Sequence, residues 1–359
     1  MTASANSMRR RLLGAAGALA LLPSGILAAG ATPKRIIWVL NLGTEESRKR
    51  SGDPRDLVRR FFASRGIEDG RDIALTFEDL PAGNRRAESE ALAEKLLRSR
   101  PDVIVMVASG ALIFLKRRTR DIPVVFYHLG ADPVRAGLVE SLRRPGANFT
   151  GTTLAYEDQL SRKWQLLKEI APWIRRGGVL CEKEFAEEWV KEWERDSGLV
   201  PRQRMEKKYW DDLHRAAGAR LGIEIEDVRL PRNATMNEIA AIIRKSRVQG
   251  LYLEPPLPVE RAGEFAKFAE FLKSSRIPAV GPSFASVKAG LLIGTSWEWD
   301  EGVAYSVEIV DRILRGASPA TIPVYQIRGF EVAINRTTAR AMGIEIPHSL
   351  LIQAREIFD

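Results

Sequence analysis

The 359-residue sequence predicts two α/β lobes, each built on a doubly wound parallel sheet. Three observations carry that expectation. The chain is longer than a single core usually fills, and its length suits two domains. Short apolar runs bounded by turn residues alternate with segments of helical period, the pattern of βαβ crossovers around a parallel sheet. The alternation breaks once, near residues 145–151, and then restarts. Apolar residues make up 45% of the chain and charged residues 28%, enough to fill two cores rather than leave it disordered.

The first strand is the continuous run Ile36-Ile37-Trp38-Val39-Leu40, suited to burial on both faces and ending at Asn41-Leu42-Gly43. Leu57, Val58, Phe61 and Phe62 then share a helical face, and Gly66 marks where that helix stops. A strand follows at 73–77, a helix at about 85–98, a strand at 103–107, a helix near 111–118, a strand at 124–126 and a shorter helix around 134–142. Strands so spaced imply right-handed crossovers. Pro145-Gly146-Ala147-Asn148-Phe149-Thr150-Gly151, turn formers around a short extended piece, is the expected first passage between lobes. Beyond it Leu160, Trp164, Leu167 and Ile170 define a helix face. Strands are expected at 178–181, 223–228, 251–253 and 279–280, with helices over 213–221, around 239–243 and over 265–272. Trp189 and Trp193, four apart in a segment dense in Glu and Lys, share a helical face as a packing stripe.

The N-terminus reads as an export signal. Arg9, Arg10 and Arg11 precede an apolar stretch over 12–27 and then Ala28-Ala29-Gly30-Ala31, the charged, apolar and small-residue order of a secretory leader, with cleavage after Ala31. Ser7-x-Arg9-Arg10-x-Leu12-Leu13 resembles a twin-arginine signal, and the ordinary secretory route stays open beside it. The single cysteine, Cys181, lies far from any processing site, so neither a lipid anchor nor an intramolecular disulfide is expected. A periplasmic location follows. The formal net charge is +9, interleaved with acidic residues and without the aromatics of a single-strand binder, so no nucleic-acid partner is expected.

Several segments resemble bacterial ABC-transporter substrate-binding proteins, the group that includes the tryptophan-binding TrpX-like proteins. They are Ile122-Pro123-Val124-Val125-Phe126, the run from Ala131-Asp132-Pro133 through Gly137-Leu138-Val139, the run from Leu142 to Gly151, Val310-Asp311-Arg312-Ile313-Leu314-Arg315-Gly316, Phe330-Glu331-Val332-Ala333-Ile334-Asn335 and Ala339-Arg340-Ala341-Met342-Gly343-Ile344. The resemblance implies the type I periplasmic-binding fold, two lobes joined by a three-strand hinge, with the helix near 300–315 folded back onto the first lobe. The boundaries expected are a leader over 1–31, a first lobe over 32–148 plus about 291–318, a second over 149–290 plus about 319–335, and a C-terminal helical segment over 336–359. The sequence departs from the family's pattern at Ala108-Ser109-Gly110-Ala111, at Gly294-Thr295-Ser296-Trp297-Glu298-Trp299-Asp300, and in the long stretch 183–208.

In open parallel sheets, ligands bind beyond the carboxyl ends of the strands. That rule selects Thr44, Glu45, Ser109, Gly110 and Asp132 in the first lobe, Glu254 and Pro255 in the second, and Trp297 near the last crossing. Ser109 and Gly110 sit where a helix begins and suit a carboxylate, or simply cap that helix. Glu254 suits a ligand ammonium, or is merely solvated, and a zwitterion would join the two. Phosphate loops, nucleophile elbows and metal-binding motifs do not occur, and His128, His214 and His348 stand apart, so neither enzyme chemistry, metal nor cofactor is expected. The reading is an exported protein that captures a small organic molecule between its lobes and hands it to an ABC permease. An exported ligand-sensing domain acting on a signalling partner, and an exported α/β enzyme, are the alternatives.

Overall fold

The computed structural model describes residues 32–40, 53–80, 86–107, 110–129, 132–154, 156–182, 207–254, 257–261, 263–297, 299–327 and 329–359. The leader expected over 1–31, and Trp189 and Trp193, lie outside them.

The chain begins with β1 (Lys34–Leu40), α1 (Pro54–Ser64), β2 (Ile73–Asp79), α2 (Arg86–Arg98), β3 (Val103–Val107), α3 (Ala111–Arg118), β4 (Val124–Leu129) and β5 (Phe149–Leu154). A second series follows: α4 (Tyr156–Ile170), β6 (Arg176–Glu182), α5 (Lys207–Arg220), β7 (Glu224–Leu230), α6 (Met236–Ser246), β8 (Gly250–Leu253), α7 (Pro258–Arg261), α8 (Phe265–Ser274), β9 (Ala279–Gly281), α9 (Phe284–Lys288) and β10 (Ile293–Trp297). The last elements are α10 (Trp299–Leu314), β11 (Tyr325–Ile327), β12 (Phe330–Asn335), α11 (Arg336–Met342), α12 (His348–Gln353) and β13 (Ala354–Phe358).

Two sheets result. The first is parallel, in the order β11-β5-β4-β3-β1-β2; the second has the order β13-β12-β10-β9-β8-β6-β7, with β10 and β12 antiparallel. The apolar runs of β3 and β4 are buried at every residue because helices cover both faces of their sheet. Ile36, Trp38, Val103 and Val105 pack against Val58 and Phe62 of α1 and Val303, Val307 and Val310 of α10. Ile37, Val39, Ile104 and Met106 pack on the other face against Leu92 and Leu96 of α2 and Leu112 and Leu115 of α3. The second sheet is covered in the same way by α4 on one side and α6 and α8 on the other.

Three connections join the lobes, and each runs between carboxyl-end regions. β5 ends in the first sheet and leads to α4 of the second lobe; β10 ends in the second sheet and leads to α10 against the first; β11 pairs with β5 and leads to β12, which begins opposite the end of β10 where Phe330 faces Trp297. α10 folds back as expected, and its Asp311 is held by Arg65 of α1 at 2.8 Å. Gly151 in β5 belongs to this arrangement: its φ is +155°, and a Cβ there would overlap the Phe126 carbonyl of β4.

The lobe boundaries differ from those expected. Residues 149–154 pair with the first sheet, because β5 continues the parallel ladder with Val124 opposite Phe149. β10, expected in the first lobe, belongs to the second sheet through β9, whereas β11, expected in the second, pairs with β5. Each crossing strand stays with the lobe it leaves. The C-terminal segment is not wholly helical, since β13 adds a parallel edge strand beside β12. The short helix expected around 134–142 is a series of turns. There the Asp132 carboxylate accepts the backbone N–H groups of Val134 at 2.8 Å and Arg135 at 3.2 Å, and Gly137 has a φ of +68°.

Candidate solute-binding site

Strand order fixes where a ligand can enter each lobe. In the first sheet the connection direction reverses between β1 and β3, and in the second between β6 and β8. Such switch points open a crevice beyond the strand ends. In the second lobe those ends carry Glu182 and Glu254, which are neighbours: the Glu254 backbone N–H donates to the Leu180 carbonyl at 2.9 Å.

The wall behind them is α4. Gly250, at the start of β8, has Leu167 and Ile174 against it, while Tyr252 near its end packs at a tilt against Trp164, with 5.6 Å between ring centroids. α4 therefore runs antiparallel to β8 and brings its N-terminal turns to the carboxyl edge of the sheet. Gln159 and Lys163 lie on those turns, one turn apart, and both are buried. The Lys163 ammonium stands 5.2 Å from the centroid of the Tyr252 ring. Burial holds its pKa below the ordinary lysine value, and the negative charge of Glu254 opposes that shift. A buried cation is tolerated where a carboxylate and an aromatic face replace water in this way. Glu182, also buried, has the Arg232 guanidinium at 3.9 Å.

Beneath this layer His214 of α5 packs edge-on against Tyr252, with ring centroids 4.7 Å apart. Burial, reinforced by the Lys163 charge, pushes its pKa down to about 3, so the imidazole is neutral at physiological pH.

The first lobe contributes the start of α3, where Gly110 takes the cap position without a side-chain cap hydrogen bond. Asp132 sits on the turn after β4, its carboxylate engaged by that turn and 3.5 Å from Arg135. At the crossings, Tyr325 of β11 stacks on Tyr305 of α10 at 3.5 Å and donates its hydroxyl to Glu301 at 2.7 Å. Burial, with that cluster, raises the Tyr325 pKa. His128, buried at φ 50°, packs its ring against Gly302 in the first turn of α10, and its backbone N–H donates to the Thr152 hydroxyl of β5 at 3.2 Å.

Of the residues selected from sequence, Thr44, Glu45, Ser109 and Pro255 lie outside the described residues. Glu254 is at the switch point of the second lobe, Gly110 at the head of α3 and Trp297 at the end of β10, directly before the second crossing. Sequence reasoning missed Gln159, Lys163 and Glu182. The only signal for the first two was a polar pair, four apart, bordering the apolar face of Leu160, Trp164 and Leu167. Among the described residues no cluster of His, Cys, Asp or Glu is arranged to hold a metal ion, and no helix is long and apolar enough to cross a membrane.

Two α/β lobes joined by three crossings, with a strand-order reversal in each sheet and a polar wall at that of the second, define the class of two-lobed solute-binding proteins. The sequence profile of the ABC transporter substrate binding proteins matches residues 58–196 and 208–358, and the chain belongs to that family. A tyrosine-binding protein of Clostridioides difficile strain R20291 is 24% identical over 289 residues, covering 80% of this chain and 75% of that one. An ABC domain in complex with L-Trp from Streptococcus pneumonia superposes with a TM-score of 0.66 at 21% identity, over 91% of this chain and 100% of the other. The ligand-free, open structure of a substrate-binding protein with adhesive properties from Clostridium difficile superposes with a TM-score of 0.67 at 19% identity, over 91% and 99%. These are the family and fold anticipated from the sequence.

Proposed function

We propose that this chain, after export and removal of its first 31 residues, captures a small organic solute between the carboxyl edges of its two sheets and presents the closed form to an ABC-transporter permease. The observation that carries the reading is the routing of the crossings. All three leave or enter at those edges, so a hinge motion there opens and closes the very surfaces on which ligand-binding loops sit. The tyrosine and L-Trp named for the relatives make an amino acid or a related zwitterion the first ligand class to test.

Mass spectrometry of small molecules released from natively purified protein tests the reading. A bound organic solute is expected, and adding it back at a hundred times its dissociation constant stabilises the fold by about 2.7 kcal/mol. No released solute, together with an unchanged melting temperature across amino acids, peptides, nucleosides and organic acids, would remove the reading. Sequencing the mature N-terminus checks export: a chain starting at or near Thr32 is expected, and retained Met1 on cytosolic protein counts against it.

A further inference from the structure

Gln159 is 3% exposed, and its side-chain Nε2 has no hydrogen-bond partner among the described residues. It lies one turn, about 5.4 Å, nearer the start of α4 than Lys163. Because α4 runs antiparallel to β8, that position is at the carboxyl edge, on the Glu254 side of Tyr252. Other charged groups of this wall lie beside opposite charges. Glu254 shares its field with Lys163, and Glu182 has Arg232 beside it. A buried amide donor left unpaired lowers stability, whereas an apolar side chain of the same shape would avoid the loss. A glutamine here is therefore explained by a partner from outside the described residues, a role that a bound solute fills.

We infer that Gln159, rather than Glu254, reads the solute in the second lobe, by donating its amide to a carboxylate or carbonyl oxygen of the bound molecule. The positive end of the α4 dipole favours the same kind of group. An amine on Glu254, the partner expected from sequence, would compete with Lys163 for that carboxylate. The inference rests on the solute-capture reading and gives it a ligand chemistry: the end of the solute facing the second lobe is an oxygen acceptor.

The test combines ligand-free melting of the full mature chain with calorimetric titration, using wild type, Gln159→Met and Gln159→Glu. The probes are L-tyrosine, 3-(4-hydroxyphenyl)propionate and tyramine, with L-leucine, 4-methylpentanoate and 3-methylbutylamine as a second skeleton. Gln159→Met without ligand is expected to melt at or above wild type, because an unpaired donor is removed. At least one carboxylate-bearing probe is expected to bind wild type, with the amine-only member of its set failing to bind. Gln159→Met should weaken that probe by about tenfold and Gln159→Glu by more, since the latter sets a carboxylate against a carboxylate. A lower ligand-free melting temperature in Gln159→Met would overturn the inference by showing that the amide is satisfied within the fold. So would an amine-only probe that binds wild type and binds Gln159→Glu more tightly. If no probe binds wild type and no solute is released from native protein, the capture reading fails and takes the inference with it, a result distinct from either of those two.

Discussion

The indole N–H of Trp164 donates to Nδ1 of His214 at 2.9 Å, joining α4 to α5 directly beneath the polar wall of the second lobe. This bond fixes the neutral tautomer with the proton on Nε2, and it places a titratable ring where protonation would break a buried hydrogen bond and add a charge beside Lys163.

Stability should therefore fall in acid through His214. Its folded-state pKa of about 3 lies below the ordinary value of 6.5, so the unfolded chain binds the extra proton between those limits. The contribution is complete above pH 6.5 and is lost progressively as the pH falls towards 3. By linkage the loss is about 2 kcal/mol at pH 5 relative to pH 7.5. Denaturant melts of wild type and His214→Gln at both pH values check it: the variant should show a smaller drop, and equal drops would dissociate the histidine from acid sensitivity.

Glu254→Gln should destabilise the fold even without ligand. The buried Lys163 ammonium loses the carboxylate that opposes its desolvation, at roughly 2–3 kcal/mol. The double variant Lys163→Met with Glu254→Gln should recover most of that loss, because no uncompensated charge remains buried. Chemical denaturation of the two single variants and the double variant measures the coupling, and additive effects would show that the two charges do not interact.

Gly302 leaves room for the His128 imidazole at the second crossing, and a Cβ there would overlap the ring. Gly302→Ala should cost about 1–3 kcal/mol through overpacking. Replacing the histidine as well, with Gly302→Ala and His128→Ala together, should relieve the clash. Thermal melts of the single and double variants decide it, and a Gly302→Ala protein as stable as wild type would mean that the ring moves freely.

Tyr325→Phe keeps the stack on Tyr305 and removes the hydrogen bond to Glu301, which ties the start of α10 to β11. A bond to a charged acceptor at this part-buried site is worth roughly 1.5–3 kcal/mol, so a loss towards the lower end of that range is expected in denaturant unfolding. Comparing Glu301→Gln, which retains an acceptor, tests whether charge or geometry carries the effect.

Much of the fold is legible in local sequence because its central strands are covered on both faces. Ile36 to Leu40 and Val103 to Val107 read as strands without knowledge of their neighbours, since a parallel sheet between helices demands apolar side chains on both sides. The helix face of Leu160, Trp164, Leu167 and Ile170 is legible for the same reason, and the family resemblance supplied the return of α10 to the first lobe. At 134–142 the apolar spacing predicts a helix where the chain turns, because spacing alone cannot reveal that the Asp132 carboxylate caps two backbone N–H groups.

The sequence by itself determined the two-lobed α/β architecture, the alternation of its elements and the family, all of which rest on periodicity and on contiguous runs of residues. Only the tertiary structure decided which sheet each crossing strand joins, because β5, β10 and β11 are short and carry no local mark of the ladder they will complete. It alone assembled Gln159, Lys163, His214, Tyr252 and Glu254 into one wall. Their proximity depends on the register between α4 and β8 and on the docking of α5, which is long-range packing between segments whose separate patterns look like ordinary core and surface.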